Sequence, residues 1–432
     1  MKYLKAQVYK AQNSLIFRNS LYQITYQLFD RGISLLIIPY IISIVGLNKF
    51  GIISASDSVI FFLSSIVQFG FDYTASKKIS QNRTDLEKIN EVYSEVFTSK
   101  IILCIITLVL IILIVELTPK YTEHRVLFYS NYLLCIAYIF LPSFLLIGLS
   151  DFKFLVITQA FMKVLFLVST IILLQTESDY YIPRLAFNIS CLVGAILSLV
   201  YIKLKYNIQY KFSNNIRDSI TLIVSQIYSF LSQLLTNSNT HIITIFLSIT
   251  YFDNVLGKFA LSIKITMVLY QVVFQPINKS LFPDMALKYS NSNKNEWNKI
   301  LKTTTIKISI IVLTILIISY IFVQTIPILI DTSKENIELL NILVITNILW
   351  LPWCINSYLG FQNYIIQNKQ KTIFSILLIT SLIVTIVSLI NYQAILSPIQ
   401  FLVLWIVIEI CQSCYHIIRL FLKKTYTQLN EI

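Results

Sequence analysis

Asp30 and Arg31 sit deep inside residues 14–46, a stretch otherwise long and apolar enough to cross a bilayer as a helix. By helix rise they lie more than about 20 Å from either end, too deep for an arginine stem to bring its head to the interface. A charge at that depth costs at least about 2.5 to 3.5 kcal/mol on insertion scales, so such groups face a bundle interior or a water-filled cavity and are functional by default. Asn19, Gln23, Gln27, Asp30 and Ser34 recur at steps of four, four, three and four, which stacks them on one helical face with Arg31 at its edge. We read that face as the wall of a polar passage. A second stripe, Gln226, Gln233, Asn237, His241 and Thr244, recurs later in the chain. Adjacent helix positions diverge, so Asp30 is not expected to face Arg31, and Asp57 on the next apolar run is the expected partner. Asp30 and Asp57 either neutralise nearby cations or bind a coupling proton or cation. His241 either titrates near physiological pH or packs as a hydrogen-bonded residue.

The elements that must position these residues follow from composition. The 432 residues are 56% hydrophobic and 13% charged, with a mean hydropathy of +0.72, far from the balance of a soluble domain. The chain reads as an all-α polytopic membrane protein. Apolar runs are expected at about 14–46, 51–71, 97–115, 127–149, 154–174 and 182–202, and then at 219–249, 255–277, 306–330, 337–361, 373–390 and 398–422. That makes twelve spans. Pro39, Pro142, Pro276 and Pro327 mark kink sites within them. The six cysteines all fall inside spans, which points to packing, not to a disulfide framework or a zinc site. The formal net charge of +13 lies in short loop clusters and not on one folded basic surface, so no nucleic acid partner is implied.

Those clusters set an orientation. Lys2, Lys5 and Lys10, the 77–88 loop, Lys153, the 203–217 connection, the 288–302 segment, Lys369 with Lys371, and Arg419 to Lys424 fall on one side. Only Lys49, Lys120, Arg125, Lys258 and Lys334 fall in loops of the other, so both termini are expected in the cytoplasm. Phe17-Arg-Asn-Ser-Leu21 is echoed by Ile216-Arg-Asp-Ser-Ile220, and Leu47-Asn-Lys-Phe-Gly-Ile52 by Leu256-Gly-Lys-Phe-Ala-Leu261. The echoes suggest two parallel six-helix lobes, residues 1–205 and 218–432, joined by a cytoplasmic linker at 206–217, with the two polar stripes facing across a cleft.

Residues 44–51 (Ile-Val-Gly-Leu-Asn-Lys-Phe-Gly), 67–83 (Val-Gln-Phe-Gly-Phe-Asp-Tyr through Arg83) and 257–264 (Gly-Lys-Phe-Ala-Leu-Ser-Ile-Lys) give the chain a family likeness. It resembles the O-antigen and polysaccharide flippases of the multidrug/oligosaccharidyl-lipid/polysaccharide exporter superfamily. The resemblance implies a V-shaped, two-lobed transporter in the bacterial inner membrane that moves an undecaprenyl-diphosphate-linked oligosaccharide to the outer leaflet. Its partners would be that lipid-linked oligosaccharide and membrane lipids, with association to a polysaccharide polymerase and a chain-length regulator. Such cargo needs cations for its phosphates and amides for its hydroxyls. Arg31, Lys264 and Arg18 suit the first task, and Gln23, Gln27, Gln233 and Asn237 the second. Arg18 serves equally well as an interfacial anchor. No nucleotide-binding loop, catalytic serine motif or metal cluster occurs, so neither an enzyme nor a cofactor is expected. The competing readings are a multidrug cation antiporter of the same architecture and a membrane oligosaccharide polymerase.

Overall fold

Apolar residues on nearly all sides of each long helix leave the backbone no partner but itself in hydrocarbon, and helix is the only secondary structure that satisfies it segment by segment. In a computed structural model, which describes residues 2–210, 216–251, 253–291, 294–329, 334–367, 369–391 and 396–428, the chain is helical with no strand among those residues. The side chains of Arg18, Gln23, Gln27, Gln233 and Asn237 lie outside the described residues. Among the described residues, ten helical stretches are long and apolar enough to cross a membrane. The expected first and second spans fall together in one of them, Phe29–Gln68. The polar seventh stretch is not among the ten, because Asn237, Ser238, Asn239 and His241 depress its hydropathy. The protein is an all-α, multi-pass membrane protein. Its chain divides into two compact units, Met1–Leu234 and Leu235–Ile432.

The first unit begins with α1 (Lys2–Gln68), interrupted at Gly46, whose φ of 73° and ψ of 167° belong to a region open essentially only to glycine. The chain turns at this residue and not over the expected Leu47–Phe50 loop, which is helical. Pro39 sits inside the helix before it. Gly70, also at positive φ, leads into α2 (Phe71–Gln81), and Asp85 caps α3 (Leu86–Leu117) by accepting from the Lys88 amide at 3.1 Å. After α4 (Pro119–Thr122), α5 (Arg125–Phe140) ends at the expected Pro142 kink and resumes as α6 (Ser143–Gly148). Buried Lys100 donates to the freed carbonyls of Tyr138 (2.9 Å) and Leu141 (3.4 Å), which satisfies the broken end. Helices α7 (Phe152–Leu173) and α8 (Ile182–Tyr206) pack on each other and on α1 and α5, and α9 (Ile216–Ser225) packs on α3. The core around Phe71, Ile79, Tyr93 and Phe144 also takes in Phe230, whose ring stacks on Phe69 at 4.3 Å. That packing carries the first unit past residue 218.

Helix α10 (Ile227–Thr250) straddles the division, and the second unit continues with α11 (Asp253–Asn291), α12 (Lys294–Leu329), α13 (Lys334–Asn347) and α14 (Trp350–Ile355). A π-helix follows (Asn356–Gln362), then α15 (Asn363–Ile366), α16 (Gln370–Ile390) and α17 (Pro398–Gln428). Its core gathers Phe274, Trp297, Val312, Trp350 and Tyr358. Trp350 is buried and donates to the Thr266 carbonyl at 3.0 Å, and Trp353 meets Tyr270 edge to face at 5.3 Å, so both tryptophans are packing residues. Outward faces stay apolar, with Ile105, Val109, Ile172 and Ile317 each about half exposed or more. A hydrocarbon solvent requires such a surface.

Candidate functional site

Helices α1, α5, α7 and α8 bring eight polar side chains into the apolar interior of the first unit. Asp30 is nearly buried and holds two cations, Lys163 Nζ from the middle of α7 at 2.8 Å and Arg31 Nη1 at 3.6 Å. The Arg31 contact corrects the expectation that neighbours on one helix cannot meet. The Cβ directions diverge, but the flexible arginine stem is long enough to bend its guanidinium back. Lys163 also lies 5.0 Å from the Phe187 ring centre and 5.9 Å from that of Phe166, a cation–π setting for an ammonium away from water. The group therefore carries two positive charges to one negative. Its most open member is Arg31, whose side chain is 34% exposed.

A second charged group forms around Asp57. Arg31 is not its partner; Arg184 of α8 is, with Nη2 donating to Oδ2 at 2.5 Å, because α8 and not the first half of α1 presents a cation there. Asn131 donates to Asp57 Oδ1 at 3.3 Å and to Ser56 Oγ at 3.0 Å. Asn188 in turn donates to the Asn131 carbonyl at 3.1 Å and to Asn131 Oδ1 at 3.3 Å. This group is neutral and fastens α8 and α5 to the second half of α1.

Sequence reasoning missed Lys163, Arg184, Asn131 and Asn188. The signal for the two cations was the rule that found Arg31, a charge within or at the edge of an apolar run. A tally of loop charges passes over both. For the asparagines no signal existed, since a buried amide reads as ordinary until its partners are known.

In the second unit Lys264 lies at the middle of the candidate span Asn254–Phe274 and is half-buried, as is His241 on α10. Lys258, six residues before Lys264, is buried and pairs with Glu338 at 2.6 Å. Buried Glu409 of α17 accepts from Asn239, Asn356 and Trp405. Cys104, Cys135, Cys191 and Cys354 are buried and Cys411 and Cys414 exposed, all as free thiols.

Solved structures similar to the chain include a multidrug resistance MATE family transporter of the MOP superfamily in an inward-facing conformation. Its TM-score is 0.68 at 15% identity, over 93% of this chain and 96% of that one. The lipid II flippase MurJ in an inward closed conformation matches with a TM-score of 0.65 at 16% identity, over 96% and 91%. At such identities the likeness shows the fold alone. In sequence, the "Putative O-antigen transporter" of Escherichia coli (strain K12) is 26% identical over 185 residues, 43% of this chain and 45% of that protein. The match thus spans about half the length of that curated relative. The family model described as "Polysaccharide biosynthesis protein" matches residues 16–287, well over half of the chain, from the helix that carries Arg31 through α11. The chain therefore belongs to the polysaccharide biosynthesis protein family.

Proposed function

We propose that this protein is a flippase that moves an undecaprenyl-diphosphate-linked oligosaccharide, an O-antigen or capsule repeat unit, from the cytoplasmic to the outer leaflet of the bacterial inner membrane by alternating access. The observation that carries the reading is the surplus cation at bilayer depth, with Arg31 and Lys163 both on Asp30. A diphosphate is an anion that hydrocarbon will not dissolve, and a partly exposed guanidinium with one acid shared between two cations is free to bind it. Lys264, at mid-span in the second unit, supplies a further cation. A carrier for cationic drugs has no use for that surplus, and a polymerase of such chains needs a large outer loop, whereas the expected outer connections are short. Both termini lie in the cytoplasm in this reading, and a polymerase and a chain-length regulator are its protein partners.

The charge count supplies a clean test. Removing Arg31 leaves Asp30 paired with Lys163, and removing Lys163 leaves it paired with Arg31, so neither single alanine strands a buried charge. Arg31→Ala or Lys163→Ala should lower surface polysaccharide roughly tenfold or more, the equivalent of one charge-assisted hydrogen bond, at unchanged membrane abundance. Arg31→Lys should keep part of the export. Loss of the folded protein in either single variant would mark the group as structural, and full export by an Arg31→Ala, Lys264→Ala double variant would end the diphosphate reading.

A further inference from the structure

Glu409 differs from the acids of the first unit. It lies on α17 eleven residues from Pro398 and ten from Arg419, the ends of its candidate span, so it sits about 15 Å from either. Its exposure is 5%, and no basic side chain pairs with it among the described residues. Three neutral donors surround it. Oε1 accepts from Asn239 Nδ2 at 3.1 Å and from Trp405 Nε1 at 3.4 Å, while Oε2 accepts from Asn356 Nδ2 at 3.2 Å.

Such a set suits an ionised carboxylate, yet a lone ionised carboxylate at this depth is costly and a neutral acid is cheaper. Behind Asn356 lies a group that lets both forms be satisfied. Asn356 Oδ1 accepts from Ser413 Oγ at 2.8 Å, and that hydroxyl also lies 3.0 Å from the Glu409 carbonyl oxygen and 3.3 Å from that of Pro352. Turning the Asn356 amide over places its oxygen against Glu409 Oε2 and its NH₂ against Ser413 Oγ. A proton on Oε2 then donates to the amide oxygen, the amide donates to the hydroxyl, and the hydroxyl donates to a backbone carbonyl. Trp405 can only donate, so Oε1 must remain an acceptor, and this fixes the proton on Oε2. Asn239 keeps its N–H on Oε1, because its oxygen accepts from Ser381 Oγ at 2.9 Å, and Trp405 only donates, so Oε1 has no oxygen neighbour with which to share a metal cation. Asn356 opens the π-helix Asn356–Gln362, a rare wide turn of the kind that recurs at functional sites.

Other titratable groups occur on the elements packed against α17. They are Lys371 of α16, Glu338 of α13, Cys354 of α14 and Tyr358 of the π-helix, with His241 on α10. Glu338 is bound to Lys258. On α17 itself stand Cys411, Cys414, His416 and Arg419, the last bonded to Tyr364 Oη at 2.7 Å.

We propose that Glu409, Asn356 and Ser413 form a reversible proton-binding site in the second unit, with Oε2 the atom that takes the proton and reversal of the Asn356 amide its switch. The site stands on this geometry; its coupling to export rests on the function proposed above. Infrared difference spectroscopy of the full chain in lipid nanodiscs, between acidic and alkaline buffer and without substrate, tests it directly. A carbonyl band of a protonated carboxylic acid should titrate in the natural protein, vanish in the isosteric Glu409→Gln and persist at a changed frequency in Glu409→Asp. Asn356→Leu, which cannot reverse, should displace the titration midpoint by about one pH unit or more. An unchanged band in Glu409→Gln, an unmoved midpoint in Asn356→Leu, or a midpoint that follows sodium concentration would each overturn the site. In cells, a protonophore should depress surface polysaccharide in the natural protein and have no further effect in Glu409→Gln. Export indifferent to the protonophore would overturn the coupling. The infrared result needs no cargo, so it is decided apart from the identity of what is carried.

Discussion

The Asp57 carboxylate holds the only charge opposite Arg184 among the described residues, and both side chains are less than a quarter exposed. Asp57→Asn leaves the guanidinium without its countercharge, so it should destabilise the first unit by about 3 kcal/mol, the lower end for breaking a buried pair. Neutralising both partners, as Asp57→Asn with Arg184→Gln, should restore most of the loss. Denaturation of purified protein in mild detergent measures each step of that double-mutant cycle. The Asp30 group should behave differently, because its acid keeps a partner when either cation is removed. Of these residues Asp30, Arg31 and Asp57 were legible from the sequence, since a charge within an apolar run announces itself. Their pairing was not. Lys163 is 133 positions beyond Asp30 (163 minus 30) and Arg184 is 127 beyond Asp57, and helical periodicity carries no information about which helix becomes the neighbour.

At the level of elements, the α6–α7 turn is tied to the end of α8 by one carboxylate. Asp151 Oδ2 accepts from Tyr201 Oη (2.7 Å), Lys205 Nζ (2.7 Å) and Tyr206 Oη (2.8 Å), while Oδ1 caps α7 at the Phe154 amide (3.4 Å). Burial raises the Asp151 pKa, but the hydrogen bonds from Lys205, Tyr201 and Tyr206 outweigh it and hold the group below its ordinary value. A folded pKa below the unfolded one stabilises above the unfolded value of about 3.9 and is lost as pH falls through the folded value. The natural protein should therefore lose stability below about pH 4, and Asp151→Asn should lack that part of the acid limb; thermal unfolding across pH compares the two. The long helices themselves were plain in the hydropathy, and Pro142 marked its break correctly. The turn after the first span was misplaced by a few residues, because Leu47-Asn-Lys-Phe50 looks like a polar connection while the backbone freedom resides in Gly46. The π-helix had no sequence signature, since an extra residue in one turn depends on what packs against it.

For the molecule as a whole, the loop charges expect Asn82 and Ser292 on the cytoplasmic side and Thr122 and Ser333 outside. Single cysteines at the latter two should react in intact cells with a membrane-impermeant thiol reagent, and those at the former two should not. Cys411 and Cys414 are exposed and must be replaced first. The pairing of Asp57 with Arg184 also sets a timetable for biogenesis. At roughly 5 to 20 residues per second, 127 residues take about 6 to 25 seconds to synthesise. Through that interval the second half of α1 has left the ribosome with a carboxylate whose countercharge does not yet exist. A newly made helix in that condition bears an unpaired carboxylate at a cost of about 2.5 to 3.5 kcal/mol, or takes up a proton in its place, so the lock between α1 and α8 closes only after α8 has emerged.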